Sequence, residues 1–446
     1  MSRPRRIALV QAPLGRPEPL IYPLGIATLA AYLPTHDLRL LDPNRDSDTG
    51  TLRSLREFEP DVIGISIRNI DSQMRRDLFY YFLHLTAFVR DVRNACPHAV
   101  ILLGGSGFSL FPEAVMRRIP EADLGVFLEA EETLPALMEA LDRPETVPGV
   151  YHRSGGAIVF TGVPRLPDIG RLEIPRYDLL DPLPYADQGG VGVQTKRGCP
   201  LGCIYCTYPQ LNGACLRLRP VEAVIGEIRA VAERGVREIT FVDGVFNLPR
   251  ERSIGILEAM KDGGVSVRWR GWFTEKGMDR EFMTLCRDTG CPEFSFSSDA
   301  YDDRVLERLG KSIRTSDIDR VVDSAAGLDG VRVAFNFFWN PPGQTPESFL
   351  RMIRFAIRTK RRLRSKAGGI IFGDARIEPH TPLWEIAVGE GVIDRDWDLL
   401  PDSMEGLKKT FYMNRRTRFL DALFSVYSLL WRLKRGLLSR NPEIRK

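Results

Sequence analysis

Three cysteines fall within eight residues, in the run Lys196-Arg-Gly-Cys199-Pro-Leu-Gly-Cys203-Ile-Tyr-Cys206. Three thiolates on one short loop containing Gly and Pro can wrap a single metal centre. Soft sulfur ligands suit an iron–sulfur cluster or zinc. A four-ligand zinc site needs one more Cys or His at close spacing, and only Cys215 is near. The chain has seven cysteines, and the other four, Cys96, Cys215, Cys286 and Cys291, are scattered. An odd count with one tight cluster argues against a secreted disulfide framework and for a reduced cytoplasm with a metal site. Cys286 and Cys291 read as buried, inert thiols.

The loop must be positioned by the rest of the chain. Its 446 residues exceed one ordinary domain, so two or three are expected. Apolar residues make up 43% and charged residues 27%, which fits a globular protein and excludes wholesale disorder. A net charge of +4, from 62 basic against 58 acidic residues, gives no footprint for nucleic acid. No apolar run approaches the roughly 18 residues of a membrane span. The start, Met1-Ser-Arg-Pro-Arg-Arg then Ile7–Val10, reads as a first strand rather than a leader peptide.

Strand-like runs recur before and after the cysteines. Ile7–Val10, Leu38–Leu41, Val62–Ile67, Val100–Leu103 and Leu124–Leu128 are short and apolar, and helical stretches separate them. That alternation predicts a doubly wound parallel sheet covered on both faces, with ligands outside the carboxyl ends of its strands. Residues 142–188 are rich in Pro, Gly and Asp, with a small hairpin at Gly149–Phe160, and read as a linker. Beyond it come Val191–Thr195, Glu238–Val242, Val267–Thr274, Glu293–Ser297, Val331–Trp339 and Gly369–Ile377. Val221, Val224, Ile225, Ile228 and Val231 mark a helix face between the first two. Six such units predict a partial barrel whose site lies at the C-terminal strand ends. The cysteine loop leaves the first strand at that end.

The C-x3-C-x2-C spacing with Tyr205 before the last cysteine resembles the signature of radical S-adenosylmethionine (SAM) enzymes. The resemblance implies a 4Fe-4S cluster held by Cys199, Cys203 and Cys206, with the fourth iron open to chelate SAM. It places Tyr205 near the adenine. It marks Asp243 for the SAM ammonium and Asn247 beside it. Ser297, Asp299 and Asn340 become SAM contacts at the later strand ends, with Glu275 a candidate catalytic carboxylate. Asp299 equally suits a helix cap.

The N-terminal third resembles the cobalamin-binding domain that precedes some radical SAM domains. The likeness rests on PLGIATLAAYL, SIRNID, GGSGFSLFPE and EAEET. It implies corrin contacts at Pro13, Leu24, Gly25, Ser66, Arg68, Asn69, Gly104, Gly105, Ser106, Gly107, Glu129 and Glu131. Two features depart from the family. Leu128-Glu-Ala-Glu131 stands where Gly-Glu-Gly-Glu is usual, and none of the five histidines has Asp two residues before it. Arg68 or Asn69 is therefore the candidate beneath the corrin.

These likenesses imply a cobalamin domain over 1–145, a linker over 146–188, a partial barrel over 189–395 and a helical region over 396–446. The activity implied is methylation of an unactivated carbon through methylcobalamin and a 5′-deoxyadenosyl radical. The same cofactors also support cyclisation, ring rearrangement or methylation without a substrate radical. In a further reading, the N-terminal domain is a non-catalytic interaction module. A small-molecule or natural-product substrate is expected rather than a peptide, with a reductase or flavodoxin as electron donor. The basic run Arg358–Lys366 is a solvated helix face or that donor's docking site. The amphipathic run Arg418–Arg435 packs on the barrel or lies on a membrane surface.

Overall fold

The computed structural model describes residues 3–423 and residue 426. The N-terminal sheet has seven strands in the order β2-β1-β3-β4-β5-β6-β7. They are β1 (Arg6–Gln11), β2 (Asp37–Leu41), β3 (Val62–Ser66), β4 (Val100–Gly104), β5 (Leu124–Val126), β6 (Val150–Ser154) and β7 (Ala157–Phe160). The first five are parallel. Ile7, Ala8, Val62, Ile63 and Ile101 are fully buried in them. Continuous apolar runs form such strands because helices cover both faces. The order reverses between β1 and β3, and the crevice above such a switch point is where ligands bind in this architecture.

The hairpin at Gly149–Phe160 is more than linker. β6 pairs antiparallel with β5, and β7 with β6, so the hairpin extends the N-terminal sheet. Tyr151 and Phe160 stack at 4.4 Å across that pair. Its pairing partner lies more than twenty residues upstream, which local patterning cannot reveal.

The second sheet contains all six expected strands, in the parallel order β15-β14-β13-β12-β11-β8. They are β8 (Val191–Val193), β11 (Glu238–Phe241), β12 (Arg268–Phe273), β13 (Glu293–Asp299), β14 (Arg332–Phe338) and β15 (Ala367–Gly373). A two-stranded antiparallel ribbon, β9 (Lys196–Arg197) with β10 (Arg217–Leu218), follows β8. Between β10 and β11, the helix Val221–Glu233 buries Val224, Ile225, Ile228 and Val231 against the sheet. The outer sheet face is aromatic. Phe241, Trp269, Phe294, Phe296 and Phe335 are fully buried. Phe335 and Phe337 meet Phe355 of the covering helix Pro346–Leu363 at 5.6 and 5.8 Å. Each such side chain contributes about 2–3 kcal/mol by leaving water.

Of the run Arg418–Arg435, only the start falls within the described residues. Leu420 is buried and its carbonyl accepts from Trp339 Nε1 at 2.8 Å, while Asp421 pairs with Arg75 and Arg76 at 2.7 and 2.6 Å. The expectations of a barrel-packed or membrane-bound helix concern residues outside those described. Among the described residues, no helix is long and apolar enough to cross a membrane.

Candidate active site

The cysteine loop is fixed at its base by Asp243, at the end of β11. This carboxylate accepts from Thr195 N at 2.8 Å, Thr195 Oγ1 at 2.5 Å and Lys196 Nζ at 3.0 Å. Its side chain is fully buried. Asp243 is thus occupied within the protein and does not line the cavity that holds the thiols, where its strand-end position would put a SAM contact. It holds the chain that enters the loop. Gly198, with φ +85°, comes next; a Cβ there would stand 2.0 Å from the Cys215 carbonyl oxygen, so only glycine fits. Across the loop, Ile204 N donates to Leu309 O at 3.1 Å.

All three thiols line one cavity of about 240 Å³ at the C-terminal ends of the barrel strands, with Tyr205, Glu275, Ser297 and Lys311. Among the described residues, no three His, Cys, Asp or Glu side chains gather tightly enough for a single ion. Three thiols spread around a shared cavity suit a larger cluster. Burial pushes the Cys203 thiol up, and Cys206 up to about 11. A cationic iron core supplies the charge that makes such thiols ligands. Cys215 is exposed and does not line this cavity. Cys286 and Cys291 are buried, and burial pushes both thiols up.

Beside the thiols, part of the cavity wall is polar and buried. Glu275 is 1% exposed, and Ser298 Oγ donates to its Oε1. Burial pushes its carboxyl upward, against the pull of Lys311 and Ser298. Lys311 Nζ donates to Ser297 O at 2.6 Å and meets Asp299 Oδ2 at 2.8 Å. Burial pulls Lys311 down, but Asp299, Cys203 and Glu275 more than offset it, so the ammonium stays charged. Asp299 also accepts from the Tyr205 hydroxyl. It therefore stands behind the cavity wall and caps no helix; Asp302 caps the helix Asp303–Arg308.

Two further SAM candidates lie elsewhere. Asn247 Nδ2 donates to Thr274 O at 2.8 Å, and its Oδ1 accepts from Thr274 N at 2.9 Å. Both ends of the amide are spent aligning the Thr274-Glu275 segment. Asn340 Nδ2 donates to Asn414 O at 3.2 Å, and Thr417 donates to its Oδ1, so it anchors the C-terminal segment. Lys311, Tyr208 and Trp272 line the cavity without any sequence signal.

A second cavity, of about 270 Å³, opens above the switch point of the N-terminal sheet. Leu24, Gly25, Ser66, Gly104, Gly105, Ser106, Glu129 and Glu131 line it, with Gln194, Arg197 and Asn212 from the barrel side. A Cβ at Gly25 would meet nothing within 4 Å, so that glycine leaves space a bulky ligand can use. Glu131 Oε2 is buried without a hydrogen-bond partner. An open cradle of strand-end backbone and an orphaned acceptor suit a large ligand rich in amide donors, such as a corrin.

Arg68 lines a smaller neighbouring cavity with Gln11 and Tyr81. Pro13, Asn69 and Gly107 line none of these spaces. Pro13 is buried beside β1. Asn69 is half-buried outside the cavity that its neighbour Arg68 faces. Gly107 is taken up in packing, since a Cβ there would stand 2.8 Å from Ile67 Cγ2.

The two cavities are linked through the chain that enters the cysteine loop, since Arg197 lines one and Cys199 the other. Glu129 meets Arg197 at 2.8 Å and also pairs with Arg217, and Glu131 meets Arg197 at 2.6 Å. The acidic loop is thereby bolted to the β9–β10 ribbon, two residues before Cys199. Leu128 holds φ +64°, a left-handed conformation natural to the glycine usual there.

Two family models match in succession: the B12 binding domain over residues 12–138 and the radical SAM superfamily over residues 193–356. The chain is a cobalamin-binding radical SAM protein. Its cofactors are a 4Fe-4S cluster, SAM and cobalamin. An uncharacterized methyltransferase of Pyrococcus horikoshii is 28% identical over 83% of this chain and 79% of its own length. The hopanoid C-3 methylase of Methylococcus capsulatus is 24% identical over 73% of this chain and 64% of its own. The fold of this cobalamin-binding radical SAM chain matches that of TsrM, a radical SAM methyltransferase from Kitasatospora setae. The TM-score is 0.76 at 20% identity, over 92% of this chain and 85% of that one.

Proposed function

We propose that this protein methylates an unactivated carbon of a small molecule. One observation carries the reading: Arg197, which lines the cavity at the switch point and is clasped there by Glu129 and Glu131, lies two residues before Cys199, which lines the cavity walled by the three thiols. When bound, the cluster with SAM supplies a hydrogen-abstracting radical, and cobalamin supplies the methyl group. The protein's part is placement, because chemistry of this kind depends on holding reacting atoms in register.

Cys199, Cys203 and Cys206 ligate the cluster. Asp243, Lys196 and Gly198 hold the ligating loop. The buried ammonium of Lys311, with Glu275 and Ser297, presents charge and donors to the SAM side of the cavity. Tyr205 packs edge-on to Phe338 at 4.8 Å and serves the adenine. Arg68, exposed in the smaller cavity beside the switch-point cavity, is the candidate beneath the corrin, and no carboxylate pairs with it among the described residues.

An electron donor has to reach the barrel end that carries the cysteine loop. In the run Arg358–Lys366, Arg358, Arg362 and Lys366 pair with Asp319, Asp323 and Asp329 at 2.6, 2.7 and 2.8 Å. That run directly precedes the first residue of β15 and so lies at the barrel end opposite the cluster. All seven cysteines are free, which supports a reduced, cytoplasmic setting.

The reading is tested with protein reconstituted anaerobically with iron, sulfide and hydroxocobalamin. Corrin bands beside those of the cluster, and 5′-deoxyadenosine formed from SAM, are expected. A spectrum without corrin bands contradicts cobalamin binding, and a loaded protein that leaves SAM intact contradicts the radical chemistry.

A further inference from the structure

The inner face of the six-stranded sheet is unlike its outer face. Register places Gly192, Thr240 and Arg270 on one level, and Trp272, Ser295, Ala334 and Gly369 on the next. Ser297, Asn336 and Ile371 form the level above. Because Phe335 and Phe337 face the covering helix, Ala334, Asn336 and Ile371 face the lumen. A Cβ on Gly192 would stand 2.8 Å from Val242 Cγ1, which puts Val242 on the same inner face.

Three large apolar side chains are open on this face: Val242 at 38%, Trp272 at 45% and Ile371 at 58% exposure. Around them the wall is small or uncharged. Below the cluster cavity, whose wall carries Glu275 and the Asp299-paired Lys311, the lumen's charges lie near the strand starts and are paired there. Glu238 meets Arg270 and Arg268 at 2.7 and 3.6 Å, and Glu293 meets Arg332 at 2.9 Å. The lumen also runs into the cluster cavity, since Trp272 and Ser297 belong to both.

We propose that this lumen holds the substrate, and that the substrate is an uncharged small molecule whose apolar body lies against Val242, Trp272 and Ile371. This deepens the methyl-transfer reading and rests on it. An apolar wall left open to water, with no free charge beside it, favours a ligand that removes apolar area and brings no ionised group. The paired charges at the strand starts close the floor. The substrate carbon to be methylated then stands at the upper end, below the cluster cavity.

The test is equilibrium dialysis of the cluster- and cobalamin-loaded protein with N-phenyl-1-naphthylamine, an uncharged apolar probe. Saturable binding is expected, displaced by farnesol and not by CTP or L-tryptophan. Ile371→Glu and Val242→Glu each weaken it at least roughly tenfold, because a carboxylate is set against the apolar body. Ile371→Leu and Val242→Leu keep it within about twofold. Far-ultraviolet circular dichroism and iron content of the glutamate variants report an intact barrel. No saturable binding to the unaltered protein, equal binding by folded glutamate variants, or displacement by CTP in place of farnesol overturns the proposal. An unaltered protein that binds the probe but leaves SAM intact overturns the radical reading instead, so the two failures are distinguishable.

Discussion

Single side chains separate the parts that react from the parts that hold them. Replacing Cys203 with Ala removes one of three ligands, so 5′-deoxyadenosine formation should vanish while the chain still folds; chromatography of the SAM products measures this. Asp243→Asn tests the reassignment of that carboxylate. It leaves Lys196 buried at 2% exposure without its ion-pair partner. Breaking a buried pair costs about 3–5 kcal/mol. Melting temperature should fall, while SAM affinity of the folded fraction stays near that of the unaltered protein. A selective loss of SAM binding would restore Asp243 as a ligand. The motif made the three cysteines legible, because their spacing alone sets one loop around one centre. Asp243, Asn247 and Asn340 spend their side chains on bonds within the protein, which a position at a strand end does not reveal, because it does not say which way the side chain turns. Lys311 was invisible, since only folding carries it across to Asp299.

At the level of elements, the cysteine loop depends on a neighbour more than a hundred residues away in sequence. Gly310 has φ +68°, and a Cβ there would stand 2.1 Å from the Gly202 carbonyl oxygen. That is rigid backbone inside the ligating loop. Gly310→Ala should therefore lower iron and sulfide content per chain after reconstitution, with far-ultraviolet circular dichroism unchanged. Gly25 gives the opposite case. It is helical, and a Cβ there meets no atom. Gly25→Leu should cost no stability, since leucine gains roughly 1 kcal/mol over glycine in a helix. The leucine side chain should nonetheless reduce bound corrin, read from the visible spectrum of the purified protein. Both sheets were foreseeable from apolar runs alternating with helices, because buried parallel strands are apolar on both faces. The antiparallel addition of β6 and β7 was not, because pairing with β5 is a long-range choice that a hairpin's own residues do not express.

For the whole molecule, the domains are joined by charge as well as by apolar packing. Besides the Arg197 clasp, Arg376 beyond β15 meets Asp71 of the N-terminal domain at 2.8 Å and Glu378 at 2.5 Å. Burial, with Asp71 nearby, pushes Glu378 up to about 7, against the pull of Arg376. The sign follows from proton linkage. Between its ordinary value of 4.5 and about 7, the folded chain binds more protons than the unfolded one. Stability should therefore fall as pH rises through that window, by at most about 3 kcal/mol. Glu378→Gln should flatten this part of the stability–pH curve, measured by melting temperature between pH 5 and 8. An unchanged slope would assign the dependence to another group.

The central claim is that one chain brings a SAM-cleaving cluster and a methyl-bearing corrin to the same substrate carbon. The most direct measurement follows the products of trideuteromethyl-SAM with reconstituted protein and a small-molecule extract, by mass spectrometry. The account predicts a small molecule carrying one trideuteromethyl group, with 5′-deoxyadenosine and S-adenosylhomocysteine formed in equal amounts. A labelled product accompanied by S-adenosylhomocysteine alone would contradict it.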